Sequence, residues 1–366
     1  MESTSHFARM RDWYGKFERP ISSISLIGGF VFDAITLTRV DQFWENFWVG
    51  AHLLIVAVCI VLINLTENGE LDKTNPAKLH FWLVNVLQFF FGGLLSTYLV
   101  FYFRSGTLAV SWPFFLMLAA AFIANERLKR HYSRLTFQIT ILFLSIYLFS
   151  AYIVPVALHT IGPWVFILSG VISVAVLGLF LLILRFSAKE RFAQGGKQLA
   201  LSVAGIVIAM NAFYFLNVIP PIPLSLKDAG LYETFTVNSP GNYSVQYEDQ
   251  GMFAFLKPSE TIQLTPGAPL YAYSAIFSPT SFNLTIVHEW QYYDETVDEW
   301  TTRGTIALSV VGGGDRGYRT FSTEDGLTAG KWRVNIETAQ GQVIGRLNFT
   351  VVNATVPPSL QSTTID

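Results

Sequence analysis

The chain has 366 residues, of which 51% are hydrophobic, 15% aromatic and only 14% charged, and its mean hydropathy is +0.41. Soluble domains carry about 25% charged residues, so this balance excludes an ordinary water-soluble chain. The formal charge of −2 supplies no basic field for nucleic acid, and a single cysteine, Cys59, excludes a disulfide framework.

In chain order, the first element is a polar and aromatic segment, residues 1–20, with neither a short apolar core nor a small-residue cleavage site. It reads as a cytoplasmic N-terminal segment without a cleavable signal, the first span serving for export. Seven apolar stretches follow within residues 21–219: Ile21 to Thr38, Phe47 to Leu65, Leu79 to Phe103, Leu108 to Ala124, Phe137 to Leu158, Pro163 to Phe186 and Leu199 to Ile219. Most approach the roughly 20 residues that a helix needs to cross a bilayer, so a bundle of seven transmembrane helices is expected.

Charge orients that bundle. Arg9, Arg11, Lys16, Arg19, Lys73, Lys78, Arg127, Lys129, Arg130, Arg134, Arg185, Lys189, Arg191 and Lys197 all fall on one set of alternate connections; the other set holds only Arg39 and Arg104. Cytoplasmic loops concentrate Lys and Arg, which puts the N-terminus inside and everything after the seventh span outside, in a cell (inner) membrane. Small residues four apart, Gly92 and Ser96, Ala120 and Ala124, Ser169 and Ser173, mark close helix packing. Pro155 is expected to bend or end the fifth span. Trp13, Trp44, Trp48, Trp82, Trp112 and Trp164 sit near span ends, where indole rings anchor at the headgroups.

An ionisable group inside a span costs at least about 2.5 kcal/mol on the insertion scale, so polar residues there are candidate functional positions. They are Asp33, His52, Asn85, Gln88 and Asn211. Asp33 and His52 fall in the outer half of adjacent helices, either as a proton or ion relay or as a buried pair that pins the helices. Asn85 and Gln88, three apart on one face, read as interhelical hydrogen-bond partners. The seventh span lacks an internal lysine, which disfavours a retinal Schiff base, and no repeated pair of broken helices marks a transporter.

At Pro220 the texture changes. Residues 220–229 begin with a proline-rich run and read as a stiff linker. Short alternating segments follow at Thr234 to Val237, Tyr243 to Tyr247, Met252 to Leu256, Leu270 to Phe277, Asn283 to Trp290, Thr305 to Val311, Lys331 to Glu337 and Val343 to Val351. They predict an all-β, immunoglobulin-like β-sandwich over residues 230–352, with a disordered polar tail at 353–366. Up to Pro220 there are 16 Lys and Arg against 11 Asp and Glu, and beyond it 8 against 15, so the exported part is acidic.

Several ordered blocks carry a resemblance: Tyr271-Ala-Tyr-Ser-Ala-Ile-Phe-Ser-Pro279, His288-Glu-Trp290, Gly312-Gly-Gly-Asp-Arg-Gly-Tyr-Arg319, Gly330-Lys-Trp-Arg-Val334 and Val343-Ile-Gly-Arg346 ending in Phe349. Together, over about residues 230 to 352, they resemble the bacterial domain-of-unknown-function family 2914. The membrane half resembles, by architecture, the companion domain-of-unknown-function family 5924. The resemblance implies a bacterial envelope protein and supplies no reaction.

Within these blocks His288, Trp290 and Tyr292 share one strand face. Facing outward, Trp290, Tyr292, Tyr293 and Trp300 would form an aromatic platform for a sugar ring or peptide; facing inward, Trp290 is core. Arg316, Arg319, Arg333 and Arg346 either converge with His288 on an anion such as phosphate or a carboxylated sugar, or pair with acids such as Glu289 and Asp315. Gly312 to Gly314 lacks the ending of a phosphate loop and reads as a turn. The carboxylates from Glu289 to Glu299 lack calcium-loop spacing and read as a solvated hairpin tip. No catalytic motif, metal cluster or cofactor signature appears. The preferred reading is a non-enzymatic membrane protein displaying a sandwich that binds an envelope glycan, polymer or protein partner. The alternative is a membrane-embedded transporter, sensor or lipid-processing enzyme with the sandwich as regulatory module.

Overall fold

The computed structural model describes residues 27–37, 39, 41–68, 71, 76–127, 134–187, 189–239, 242–249, 259–279, 283–311, 317–355 and 358–365. The N-terminal segment 1–20, the expected strand Met252 to Leu256, the turn at Gly312 to Gly314 and Arg316 lie outside them. The chain forms two compact units, one from residues 1–101, 115–154 and 166–212, the other from residues 102–114, 155–165 and 213–366.

Helices α1 (Ile27–Thr36), α2 (Phe43–Glu67), α3 (Pro76–Arg104), α4 (Leu108–Arg127), α5 (Leu135–Leu158), α6 (Pro163–Ser187) and α7 (Lys189–Phe215) follow in order. Six of them, α2 to α7, are long and apolar enough to cross a membrane. The expected count of seven is therefore six among the described residues. The ten helical residues of α1 rise only about 15 Å, and the start of that predicted span, from Ile21 to Leu26, is not described.

Two helix ends differ from expectation for local reasons. The last span begins ten residues earlier than predicted and stops at Phe215, because Asn217 takes the left-handed conformation at φ 57. Its amide donates to the Tyr214 carbonyl at 2.9 Å and the Val218 amide to the Phe213 carbonyl at 2.8 Å, a Schellman closure. Helix α5 continues through Pro155 to Leu158, and His159, at φ 55, ends it.

Polar ties join helices of the first unit. Asn64 Nδ2 of α2 donates to Gln138 Oε1 of α5 at 3.3 Å. Gln88 of α3 and Asn125 of α4 exchange bonds, each side-chain amide donating to the other's carbonyl, at 3.3 and 3.2 Å. Tyr98 Oη donates to the Ser145 carbonyl at 2.8 Å, and Asn211 Nδ2 of α7 to Tyr147 Oη of α5 at 3.2 Å. The Tyr147 ring lies over Gly170 of α6, where a Cβ would stand 2.6 Å from the hydroxyl. In lipid, where apolar contact gives little drive, such bonds and small residues hold helices together.

The second unit contains β1 (Ser225–Tyr232), β2 (Thr234–Ser239), β3 (Asn242–Glu248), β4 (Glu260–Leu264), β5 (Leu270–Phe277), β6 (Asn283–Asp294), β7 (Glu299–Val311), β8 (Tyr318–Glu324), β9 (Gly330–Thr338), β10 (Val343–Asn353) and β11 (Leu360–Ile365). They make three sheets, ordered β1-β5-β8, β4-β10-β9-β6-β7 and β11-β3-β2. All pairs are antiparallel except β4 with β10.

The sheets stack in three layers rather than the two expected, with β1-β5-β8 in the middle. On one side of β5, Leu270, Ala272 and Ile276 pack with Trp290, Val334, Ile336 and Phe349 of the five-stranded sheet. On the other, Tyr273 and Ala275 pack with Tyr243 and Val245 of the third sheet, extended by Phe235 and Phe321, whose rings stack at 4.2 Å. A strand covered on both faces shows no hydrophobic alternation, and seven of the eight β5 residues are buried. Two expectations are corrected here. The tail contributes β11, paired with β3, and the linker is already strand β1 from Ser225.

Two interhelical connections belong to this same unit. Ile161, between α5 and α6, packs on the cluster of Leu224, Ile276 and Ile336. A Cβ on Gly106, between α3 and α4, would come within 2.6 Å of Pro220.

Candidate functional site

On β6 the period-two pattern sends His288 and Trp290 inward, and both are 0% exposed. Of the two readings of Trp290, the inward one holds and the outward aromatic platform loses it: a side chain with no accessible surface belongs to the core. Tyr292, on the same side, packs at 5.1 Å against the Trp332 ring at the edge of that core.

The polar atoms of this core are fully connected. Trp290 Nε1 donates to Ser322 Oγ at 3.0 Å; Ser322 Oγ lies 2.9 Å from His288 Nδ1; His288 Nε2 lies 2.8 Å from Ser274 Oγ; and Ser274 Oγ lies 3.0 Å from Thr320 Oγ1. Counting protons assigns the direction. If Ser322 donates to Nδ1, the imidazole carries its proton on Nε2, donates to Ser274, and Ser274 donates to Thr320. Each of these buried hydrogens then has an acceptor. Burial pushes the imidazole down to about 4, so it stays neutral. The cluster is sealed and has a structural role, not an anion-binding one.

The outer face of the five-stranded sheet is different. Strand β9 alternates Lys331, Arg333, Asn335 and Glu337 with Trp332, Val334 and Ile336, and its register sets the polar row beside Glu289 and Gln291 of β6 and Arg346 and Asn348 of β10. Thr302 Oγ1 donates to Glu289 Oε1 at 2.7 Å and Asn335 Nδ2 to Glu289 Oε2 at 3.0 Å. Arg333 Nε donates to Gln291 Oε1 at 2.6 Å and Arg346 Nε to Asn335 Oδ1 at 2.7 Å. Past the bulge at Trp290 and Gln291, the Arg333 guanidinium stands 4.2 Å over the Trp300 ring, which meets the Tyr293 ring at 5.1 Å. Lys331 lies 5.2 Å over Tyr293 and pairs with Glu295 at 3.3 Å.

Burial and Arg346 push the Arg333 guanidinium down to about 10, and burial lowers Arg346. Burial, then Glu289, push the Glu337 carboxyl up to about 7, against the pull of Arg346. Of the residues grouped in the sequence, this face brings together Trp300, Tyr293, Glu289, Arg333 and Arg346. Arg319 lies on the side of β8 facing the third sheet, next to Tyr273, and Arg316 lies outside the described residues. Gln291, Asn335 and Glu337 were not singled out in the sequence, although the alternation along β9 marks two of them.

A second concave feature, of about 420 Å³, is lined by Tyr232, Glu233, Tyr247, Glu248, Asp249 and Glu260 among others. Burial and then Glu248 push Glu233 up to about 7, and burial raises Glu260. Among the described residues no group of His, Cys, Asp or Glu is placed to hold a metal ion.

In the first unit Asp33 has His52 and Ser96 as electrostatic neighbours. His52 Nδ1 donates to the Trp48 carbonyl at 2.7 Å, and its ring lies against Gly93 and, at 4.9 Å, Phe90. Gln88 and Asn211 join helices as described above. Asn85 instead donates to the Phe81 carbonyl of its own helix at 2.7 Å.

Residues 283–351 match the family described as "Protein of unknown function (DUF2914)". This stretch runs from β6 into β10 and contains the polar outer row and all of the buried His288 cluster except Ser274 of β5. No curated protein matches the chain. Among solved structures, an alkylpurine DNA glycosylase, AlkC, from Pseudomonas fluorescens, bound to DNA containing an abasic site analog, aligns over 82% of this chain and 96% of that one, at 9% identity and a TM-score of 0.20. A likeness that weak carries no argument about fold or function.

Proposed function

We propose that the chain is a multi-pass protein of the bacterial inner membrane that presents an immunoglobulin-like β-sandwich outside the cell membrane to bind an envelope glycan. The observation that carries the binding reading is the outer face of the five-stranded sheet. There a laterally hydrogen-bonded polar row ends in the Arg333, Trp300 and Tyr293 stack. Aromatic rings next to fixed polar donors suit a sugar chain, which offers apolar ring faces and hydroxyls together.

The immunoglobulin-like reading draws on strand order. Sheet β1-β5-β8 takes the places of strands A, B and E, and sheet β4-β10-β9-β6-β7 those of A′, G, F, C and C′, with the buried Trp290 on the strand equivalent to C. Strands β2, β3 and β11 are then an added third layer. The sidedness draws on basic residues being scarce in the connections that share a compact unit with the strands.

Labelling of Val297→Cys, at the exposed β6–β7 tip, by a membrane-impermeant maleimide in spheroplasts tests the location, in a Cys59→Ala background. Reaction only after lysis refutes the outside placement. Binding of detergent-solubilised full-length protein to oligosaccharide arrays, with and without Trp300→Ala, tests the function; equal retention of both proteins refutes this face as the site.

The proximity of Asp33 and His52 favours one second reading, a proton-linked transport or sensing role in the bundle. Asp33→Asn in proteoliposomes would abolish proton uptake driven by a membrane potential; no wild-type uptake refutes it.

A further inference from the structure

We infer that the ligand of the outer sheet face is an acidic glycan, its carboxylate or phosphate oxygens held between the guanidinium groups of Arg333 and Arg346. This rests on the reading of that face as a glycan-binding surface and adds the ligand's charge.

Both arginines are fixed from behind. Gln291, 9% exposed, holds Arg333 by Nε, and Asn335, 4% exposed, holds Arg346 by Nε. The Trp300 ring braces Arg333 from one side. What each side chain keeps for a ligand is its two terminal nitrogens, in the planar geometry that matches an oxyanion. Arg346 pairs with Asn335 and Arg333 with Asn348 across the β9–β10 ladder, so the two arginines are diagonal neighbours, about 7 Å apart. Two long side chains at that spacing can close on one oxyanion or on successive acidic groups of a polymer.

The charges attract Glu289 and Glu337 without closing on either. Among the described residues neither guanidinium is ion-paired. Glu289, in the same polar row, accepts from Thr302 and Asn335. Burial lowers both guanidinium pKa values, and for Arg333 the neighbouring charge of Arg346 adds to that effect. An arriving anion relieves that repulsion. A polar sheet face without exposed aliphatic side chains in its central row suits a glycan better than a lipid headgroup, whose acyl chains need an apolar bed.

Glu337 tunes the site. It faces Arg346 from β10 and Glu289 from β6, and Arg333 lies two places along its own row of β9. With its carboxyl near 7, it is largely protonated at pH 6 and ionised at pH 8. An anion therefore meets one fewer negative charge at pH 6 and binds more tightly there.

The test uses the full-length protein in detergent and calorimetric titration with oligogalacturonate, its neutral methyl ester, inorganic phosphate and short-chain phosphatidylglycerol. Oligogalacturonate is expected to bind at least tenfold more tightly than the ester. Arg333→Gln and Arg346→Gln should each remove that difference, with the circular dichroism spectrum unchanged. Affinity should rise severalfold from pH 8 to pH 6, and Glu337→Gln, which needs no arginine altered, should hold the high value at both. Equal binding of acid and ester, lost in Trp300→Ala, overturns the anion inference and leaves the glycan reading standing. Phosphatidylglycerol binding as tightly as oligogalacturonate overturns the glycan source. Absence of any sugar binding overturns both.

Discussion

The sealed imidazole of His288 makes the β unit sensitive to acid by a calculable amount. In an unfolded chain the group titrates near 6.5, whereas in the fold it is pushed down to about 4 by burial. Between those values the unfolded state binds a proton that the folded state refuses, so stability is fully present above about 6.5 and falls as pH drops toward 4. The span from about 6.5 to about 4, at about 1.36 kcal/mol for each pH unit, amounts to roughly 3 kcal/mol lost by pH 4. Glu337 and Glu233 act the other way. Their carboxyls are raised to about 7, so the stability they contribute is full below about 4.5 and lost as pH rises through 7. The two trends overlap, and the histidine must be isolated by difference. Replacing His288 with Gln keeps a neutral donor and acceptor but removes the titration. Amide exchange of β6 and β9 peptides in the full-length protein, corrected for intrinsic rates, gives the opening free energy of wild type and His288→Gln from pH 7.5 to 4. The difference between them should shrink by about 3 kcal/mol over that range. Parallel curves would mean that the imidazole is charged or solvated in the fold, and would falsify the sealed-core account.

Three further predictions follow from close contacts and burial. Gly317 has φ +81 and backbone atoms of Ala275 and Ile276 at 3.0 Å from a would-be Cβ, so Gly317→Ala should cost about 2–3 kcal/mol, read as faster exchange in β5 and β8. In the bundle, Gly170→Ala displaces the Tyr147 hydroxyl from Asn211 and should lower stability to denaturing detergent by about 1 kcal/mol, whereas Gly178→Ala, with nothing within 4 Å, should be neutral. Glu233→Gln removes a buried carboxylate whose Oε1 has no partner and faces Glu248; discounted for its partial exposure, it should gain about 1 kcal/mol at pH 8 and nothing at pH 4.5.

Much of this was legible in the residues. Spans two to six coincide with helices to within a few positions, because the need to satisfy backbone groups in lipid leaves one answer for a long apolar stretch. Strands β5 and β9 were nearly exact for opposite reasons, one a continuous apolar run and the other a strict alternation. Strand β11, Leu-Gln-Ser-Thr-Thr-Ile, was missed because its polar sequence gains order only from the β3 ladder, a tertiary effect that propensity cannot carry. Strand β1 was hidden behind the prolines at 220, 221 and 223. The site was half legible. Trp300, Arg333 and Arg346 were marked, but which face Trp290 took depended on the sheet packed against it, and the supporting amides of Gln291 and Asn335 carry no motif.

The membership of Ile161 and Gly106 in the strand-rich unit bears on how the protein can be cut. A soluble fragment beginning after Pro220 would carry Leu224 and Ile276 without the loop residue that covers them, and would lose the proline that seats on Gly106. Domain boundaries drawn where hydropathy changes would thus pass through a folded body. An excised strand-rich fragment would tend to stick to itself or to detergent, and a negative binding result from it would report the bare seam rather than the absence of a ligand.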